Sequence, residues 1–371
     1  MRVLVVNAGS SSLKLRLLDG QDDVLAAADL PALGAGFDPA AAASALDRWP
    51  KPDVVGHRIV HGGTRFATAV RIDADVEAQL HELTDLAPLH QPKSLAGLSL
   101  VSTLLPDVPA VACFDTAFHA GIPEAAATYA VPAEWRRRYG IRRYGFHGLS
   151  HAYASRRAVE LSGREPAGLR MVTCHLGAGA SLCAVLGGRS VDTTMGFTPL
   201  EGLVMATRSG TVDPGLVLWL EEHENLSPHE VATALETASG LLALAGSADH
   251  REVEARATAG DSSAILALEV SLHRLVGSIA AMAAATGGLD VLVFTGGVGE
   301  HSPWMRAAVA DRLGWLGVAV DTGVNHTASG DVDLTAAGAS VTTLVISARE
   351  DLQIAGESRA VMAHGPHTVD A

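Results

Sequence analysis

Residues 3–14 read VLVVNAGSSSLK, and residues 171–182 read MVTCHLGAGASL. Each stretch is an apolar run, a turn of small residues, and the start of a second apolar segment. Short apolar runs bounded by Gly and Ser read as strands. In the first stretch Leu13, Leu15 and Leu17 alternate with Lys14 and Arg16, so the returning strand buries one face. Ser12 aligns with Ser181 and Leu13 with Leu182. The recurrence points to an internal duplication, an α/β chain of two similar domains.

A turn of small residues between strands exposes successive backbone N–H groups, which can approach phosphate oxygens closely. Ser10, Ser11 and Ser12 add hydroxyls, and Lys14 adds a cation. The first hairpin alone also reads as an ordinary Ser-rich turn; its recurrence favours a phosphate cradle. GAGAS at 177–181 is not a dinucleotide fingerprint, because a strand pattern follows it rather than a helix. Three further stretches carry similar parts: GHRIVHGG at 56–63, FDTAFH at 114–119 and FTGGVGE at 294–300. The last is a strand ending in a glycine loop ahead of a helix. Together these parts read as a nucleotide-dependent phosphoryl-transfer site.

Composition agrees. The 371 residues suffice for two domains, and 38 glycines with 4% aromatics suit a loop-rich α/β enzyme. The formal net charge of −14 argues against nucleic acid, which needs a basic footprint. RRRYGIRR at 136–143 reads as a solvated basic run. Cys113, Cys174 and Cys183 lie in apolar runs without a CxxC and read as reduced, buried thiols. Met1 and Arg2 precede only four apolar residues, too few for a secretory signal. No run approaches the ~18 apolar residues of a membrane helix. A soluble, cytoplasmic chain is expected.

Further along, residues 33–52 read as a peripheral insertion with one short helix, 54–60 and 108–114 as strands, and 75–86 as a helix. A second helix follows Pro92. Helices are expected near 214–224 and 228–239, the latter opening on a Ser227–Glu230 capping box and stopping at Gly240. A long Ala-rich helix covers 262–286, strands cover 291–294 and 344–346, helices start at Pro303 and Glu350, and the tail 363–371 is expected to be disordered.

His57/His61 and His147/His151 have the i, i+4 spacing of zinc helices, but the first pair lies in a strand-like run and the second spans a Gly. A phosphate enzyme would instead use Mg²⁺ held by oxygens such as those of Asn7, Asp115 or Glu350. Arg58 and Arg208 sit beside turn residues rather than on charged helix faces, where a guanidinium suits a carboxylate or phosphoryl group.

The segments at 7–14, 56–63, 87–92 (APLHQP), 114–119, 143–151 (RYGFHGLSH), 175–181, 192–203 (DTTMGFTPLEGL), 207–214 (TRSGTVDP), 239–242 (SGLL) and 294–300 closely resemble the acetate kinase family. They run in the family's order over nearly the whole chain, and the 192–203 block is highly specific.

The resemblance implies two duplicated ribonuclease H-like domains of the actin-type ATPase superfamily, with a nucleotide cleft between them. The domains would be 1–117 plus 349–371, and 118–348. The implied reaction is ATP + acetate ⇌ ADP + acetyl phosphate with Mg²⁺ or Mn²⁺, in a homodimer without nucleic-acid or membrane partners. By motif position, Asn7 and Glu350 correspond to the metal site. Ser10, Ser12, Lys14, His175, Leu176, Gly177, Ala178, Gly179, Asp249, His250, Arg251, Gly296, Gly297, Val298, Gly299 and Glu300 correspond to nucleotide contacts. Arg58 corresponds to the acetate clamp, and Val60, Leu89 and Pro199 to the methyl pocket. Asp115 corresponds to the catalytic acidic residue near substrate and metal, and His147 and Arg208 to transition-state stabilisers. Departures from the family pattern are Ala178 in place of Asn, Ala206 in place of Gly, altered segments at 248–251 and 347–352, and a shorter region before Arg58. A propionate or butyrate kinase would use the same site; a sugar kinase would need a general base and polyol contacts, and a non-catalytic scaffold would have no need of the Arg58, Asp115, His147 and Arg208 set.

Overall fold

The structure, a computed structural model, describes residues 1–9, 12–34 and 36–364. Ser10, Ser11 and the tail beyond His364 lie outside the described residues. Two compact units form. The first holds residues from Met1–Ala120, Phe146–Tyr153 and the segment starting at Arg349; the second holds Gly121–Gly145 and Ala154–Ala348.

In the first unit the strands are β1 (Val3–Ala8), β2 (Ser12–Leu18), β3 (Val24–Leu33), β4 (Gly36–Phe37), β5 (Val54–Ile59), β6 (Val70–Arg71) and β7 (Ala110–Phe114). Their order is β4-β3-β2-β1-β5-β7-β6. β1, β2 and β3 form an antiparallel meander, β1, β5 and β7 run parallel, and β6 closes the edge antiparallel to β7. In the second unit β8 (Arg170–Leu176), β9 (Ala180–Leu186), β10 (Arg189–Thr193), β11 (Val291–Thr295), β12 (Val332–Asp333) and β13 (Thr342–Val345) are ordered β10-β9-β8-β11-β13-β12. Apart from the short β4, which has no counterpart, the directions repeat: an antiparallel meander, three parallel strands, an antiparallel edge. The duplication read from two hairpins therefore extends over both sheets.

Parallel neighbours need crossovers, and helices supply them. The helix Gln91–Leu104 connects β5 to β7, with Leu95, Leu98 and Val101 buried at helical spacing. The helix Ser262–Ala285 precedes β11 and buries Leu268, Leu272, Leu275, Ile279 and Met282 along one stripe. By length and composition this 24-residue helix could cross a membrane, but Glu269, His273 and Arg274 interrupt it, so it holds no unbroken run of ~18 apolar residues. Its single buried stripe and the charged Glu269 and Arg274 are features of an amphipathic core helix.

The helices expected near 214–224 and 228–239 are Pro214–His223 and Pro228–Thr237, and the second carries the capping box, with both Ser227–Glu230 hydrogen bonds present. It ends three residues before Gly240, which instead opens a further helix, Gly240–Ala245, at φ +62°. A side chain at Gly240 would strike the Met205 carbonyl. Ala363 and His364, expected to be disordered, belong instead to the last helix, Glu350–His364. The glycine loop after β11 is a helical turn, Gly296–His301. β3 and the helix Gly148–Ser162 have no counterpart in the sequence reading. In β3 the alanines and one Pro mask the alternation.

The units divide at 120/121 rather than 117/118, and 146–153 returns to the first unit. Two hydrogen bonds, one between backbones and one from a side chain, tie 146–153 there: Gly148 N donates to Asp115 O at 2.8 Å, and His119 Nε2 lies 3.1 Å from Phe146 O.

Candidate active site

In the first unit the charged groups gather where parallel strands end, the usual place for ligands in open α/β sheets. Asn7 is the penultimate residue of β1, Arg58 lies near the end of β5, and Asp115 directly follows β7. Arg58 grips Asp115 with both arms of its fork: Nε donates to Oδ1 at 3.1 Å and Nη2 to Oδ2 at 2.5 Å. The Asp115 side chain is 1% exposed and that of Arg58 16%. Burial raises the Asp115 pKa against the pull of Arg58. Burial also opposes the Arg58 charge, but Asp115 and Glu350 outweigh it and hold the guanidinium protonated.

Asn7 Nδ2 donates to Glu350 Oε2 at 2.8 Å. Asp351, the neighbouring carboxylate, is occupied by Arg349, which donates from Nε to Oδ1 at 2.9 Å and from Nη2 to Oδ2 at 2.9 Å. Of the two acids at the start of the last helix, Glu350 is therefore the one beside Asn7. No group of three or more His, Cys, Asp and Glu suited to a metal occurs among the described residues. A carboxylate and an amide are too few ligands for zinc, but they fit a hard cation that keeps most of its waters.

His147 adopts φ +56°, a left-handed conformation unusual for a side-chain-bearing residue. Gly148 follows against the Asp115 carbonyl, where a Cβ would collide. Val60 is buried just past β5, whereas Leu89 is 56% exposed. Lys14 pairs with Asn7 across the β1–β2 ladder and is exposed. Ser12 opens β2, and its carbonyl accepts from Gly9 N at 2.9 Å. His57 and His61 are buried, and burial lowers their pKa values to about 3 and about 4. Neither nitrogen of the His57 ring has a hydrogen-bond partner among the described residues.

In the second unit a cavity of about 550 Å³ opens beside the β8–β9 turn, a volume suited to a small ligand. Leu176, Gly177, Ala178, Asp249, His250, Arg251, Gly297 and Val298 line it, all among the expected nucleotide contacts. His175, Gly179, Gly296, Gly299 and Glu300 do not line it. Glu300 instead accepts from Ala348 N at 3.0 Å through its carboxylate and from Arg306 Nη1 at 2.8 Å through its carbonyl. Arg306 is 1% exposed and also donates to Gly299 O at 2.9 Å, anchoring the glycine turn from behind. The apolar wall of Leu203, Met205, Leu241, Leu275 and Met305 was not foreseen, although Leu241 lies in the SGLL motif. Its members come from four separate segments.

Glu236 and Pro199 both hold Arg208. Its Nε lies 3.0 Å from Glu236 Oε2, and Nη1 donates to Pro199 O at 3.3 Å. Burial raises the pKa of Glu236, and the Arg208 charge opposes the rise. No motif marks Glu236 in the sequence. The segment leading to Arg208 is tied to the cavity, since Ala206 N donates to Ala178 O at 3.0 Å. This bond uses the backbone of Ala178, so the residue type departing from the family pattern leaves the tie intact.

Two sheets of one strand order, with strand-end charges in one unit and a glycine-edged cavity in the other, define the actin-type ATPase class of α/β proteins. Within it, residues 43–356 match the model of the acetokinase family, and the chain belongs to that family. The acetate kinase of Nostoc punctiforme is 48% identical over 84% of this chain and 76% of its own length. The solved acetate kinase of Porphyromonas gingivalis superposes with a TM-score of 0.88 at 36% identity, covering 97% of this chain and 99% of that one. A solved propionate kinase from Francisella tularensis gives 0.88 at 34% identity, also with 97% and 99% coverage.

Proposed function

We propose that the chain is an acetate kinase that transfers the γ-phosphoryl group of ATP to acetate, reversibly and directly. The observation that carries this reading is the buried Arg58–Asp115 pair beside Asn7 and Glu350. A guanidinium held charged at the end of β5 is suited to orient a small carboxylate.

Acetate is already ionised at neutral pH and needs no general base. One of its oxygens attacks the γ-phosphorus, the bond to the β,γ-bridging oxygen breaks, and ADP leaves with the electron pair. The protein's task is positioning and charge neutralisation. Arg58 holds the carboxylate, and Arg208 and His147 meet charge on the transferring group. Glycine-turn N–H groups and the 550 Å³ cavity receive the nucleotide. Asn7 and Glu350, with Asp115 nearby, are the residues to hold Mg²⁺ or Mn²⁺, which when bound neutralises phosphate charge.

The Francisella propionate kinase, superposing as well as the acetate kinase does, supports a second reading in which propionate is the better acceptor. We also take the chain to be a cytoplasmic homodimer of two such domains per subunit. Three buried thiols without a disulfide agree with a reducing compartment. A helix with no buried residue, Pro214–His223, offers Leu216, Leu218 and Trp219 as a dimer face. The deciding experiment incubates the protein with ATP, Mg²⁺ and acetate, propionate or butyrate, and traps acyl phosphate with hydroxylamine. Acetyl hydroxamate in excess is expected; propionyl hydroxamate in excess selects the second reading, and none from any acid rejects both.

A further inference from the structure

The block 192–203 is the most distinctive stretch of the chain, yet the mechanism uses only Pro199 and, in the cavity wall, Leu203 from it. The rest is built around one ion pair. Arg143 Nη2 donates to Glu201 Oε1 at 2.7 Å. Its Nη1 faces three successive carbonyls, those of Thr193 and Thr194 at 3.2 Å and Met195 at 3.0 Å. The Tyr129 hydroxyl donates to Glu201 Oε2 and accepts from Phe197 N at 3.0 Å. Its ring packs against the same guanidinium, 5.5 Å from centroid to Arg143 Cζ. Gly196 O accepts from Tyr144 N at 3.0 Å, and a Cβ at Gly196 would fall on the Glu201 carboxylate and the Tyr129 hydroxyl.

These bonds tie the loop on both sides of Thr198, Pro199 and Leu200. Pro199 lies buried between the ties, and its carbonyl accepts from Arg208. The Arg143 and Glu201 side chains are 17% and 32% exposed, so the pair is largely out of water. Burial, then Glu201, pushes the Tyr129 phenol up, which keeps it a donor.

We infer that Arg143, Glu201 and Tyr129 form a specificity clamp, positioning residues that fix Pro199 and thereby set which carboxylic acid the site prefers. The inference rests on the reading of Pro199 as a wall of the acid pocket. Cutting a tie lets the buried Pro199 shift and weakens selection against each added methylene. Arg208 retains Glu236, so transfer itself suffers less.

Tyr129→Phe keeps the ring and removes two hydrogen bonds; Glu201→Gln keeps the size and removes the charge. We expect the acetate-to-propionate ratio of kcat/KM to fall about 3- to 10-fold in Tyr129→Phe, the scale of the net contribution of one hydrogen bond. The loss should appear mainly in acetate KM, with kcat within about 3-fold, and Glu201→Gln should lose more. Independently of any substrate, hydrogen exchange at the Phe197 amide should accelerate about 10-fold in Tyr129→Phe. An unchanged ratio in folded Tyr129→Phe overturns the specificity role, and unchanged exchange overturns the clamp. If the wild type makes no acyl phosphate, the kinase reading fails and the specificity role fails with it; the exchange experiment still decides whether the clamp exists.

Discussion

Arg208 shows how a single residue's role divides between charge and placement. Glu236 and the Pro199 carbonyl orient its guanidinium from one side. Arg208→Ala should lower kcat by about 10³-fold or more while leaving acetate KM nearly unchanged, because the missing charge acts on the transferring group. His147→Ala, one lost donor, should cost roughly 10²-fold. Steady-state kinetics in acetate and ATP check both. If Arg208→Ala moves only KM, the residue binds substrate instead. His57 is a separate case, a buried ring with neither nitrogen partnered among the described residues. Burial holds its pKa at about 3, and those of His61 and His119 at about 4. The unfolded chain protonates these rings below about pH 6.5 while the folded chain does not. Their contribution to stability is therefore present above pH 6.5 and is lost as the pH falls from there towards 4, by about 1.4 kcal/mol per pH unit for each ring. His57→Leu removes one such proton and an unsatisfied polar group. It should melt no lower than wild type at pH 7 and lose less on going to pH 5, as thermal melts at the two values would show.

At the scale of elements, β5 and the residue after it set out the acid site. Arg58 in β5 and Val60 at the bend just after it are two apart, so in the proposed site a charge for the carboxylate and a wall for the methyl come from one segment. A pocket sized for one methyl discriminates against each extra methylene by roughly 1–3 kcal/mol. Val60→Ala should raise kcat/KM for propionate and butyrate relative to acetate while Arg58 still holds the carboxylate. An unchanged preference across the three acids would remove Val60 from the pocket. These strand-end positions were legible because an apolar run followed by Arg, Asp or Asn is a local pattern. The helix Gly148–Ser162 was not legible, since its start at Gly148 is set by the Asp115 carbonyl far away in sequence. The apolar wall of the cavity was hidden for the same reason: Met205, Leu241, Leu275 and Met305 are ordinary core residues one at a time.

At the scale of the whole molecule, the exposed face of Pro214–His223 stands out. Leu216, Leu218 and Trp219 are 46%, 57% and 47% exposed. A second copy covering this face would explain why its apolar residues are tolerated. Trp219→Asp and Leu218→Asp should convert a dimer to a monomer in size-exclusion chromatography with light scattering. Monomeric wild-type protein, or variants that remain dimeric, would move the interface elsewhere.

The two hairpins, the strand-end Asn7, Arg58 and Asp115, and the glycine turn after β11 could be read from residue order, because each is a pattern within about ten residues. They sufficed for the duplicated α/β class and for a phosphoryl-transfer reading. The choice of Glu350 rather than Asp351 beside Asn7 could not be made locally, since both acids open one helix and only the bond from Asn7, at the far end of the chain, separates them. Glu236 behind Arg208, Arg306 behind the glycine turn, and the Tyr129–Arg143–Glu201 cluster were likewise decided by tertiary structure. A half-buried charge needs a partner, but any of many carboxylates or carbonyls could serve, and only the folded chain selects one.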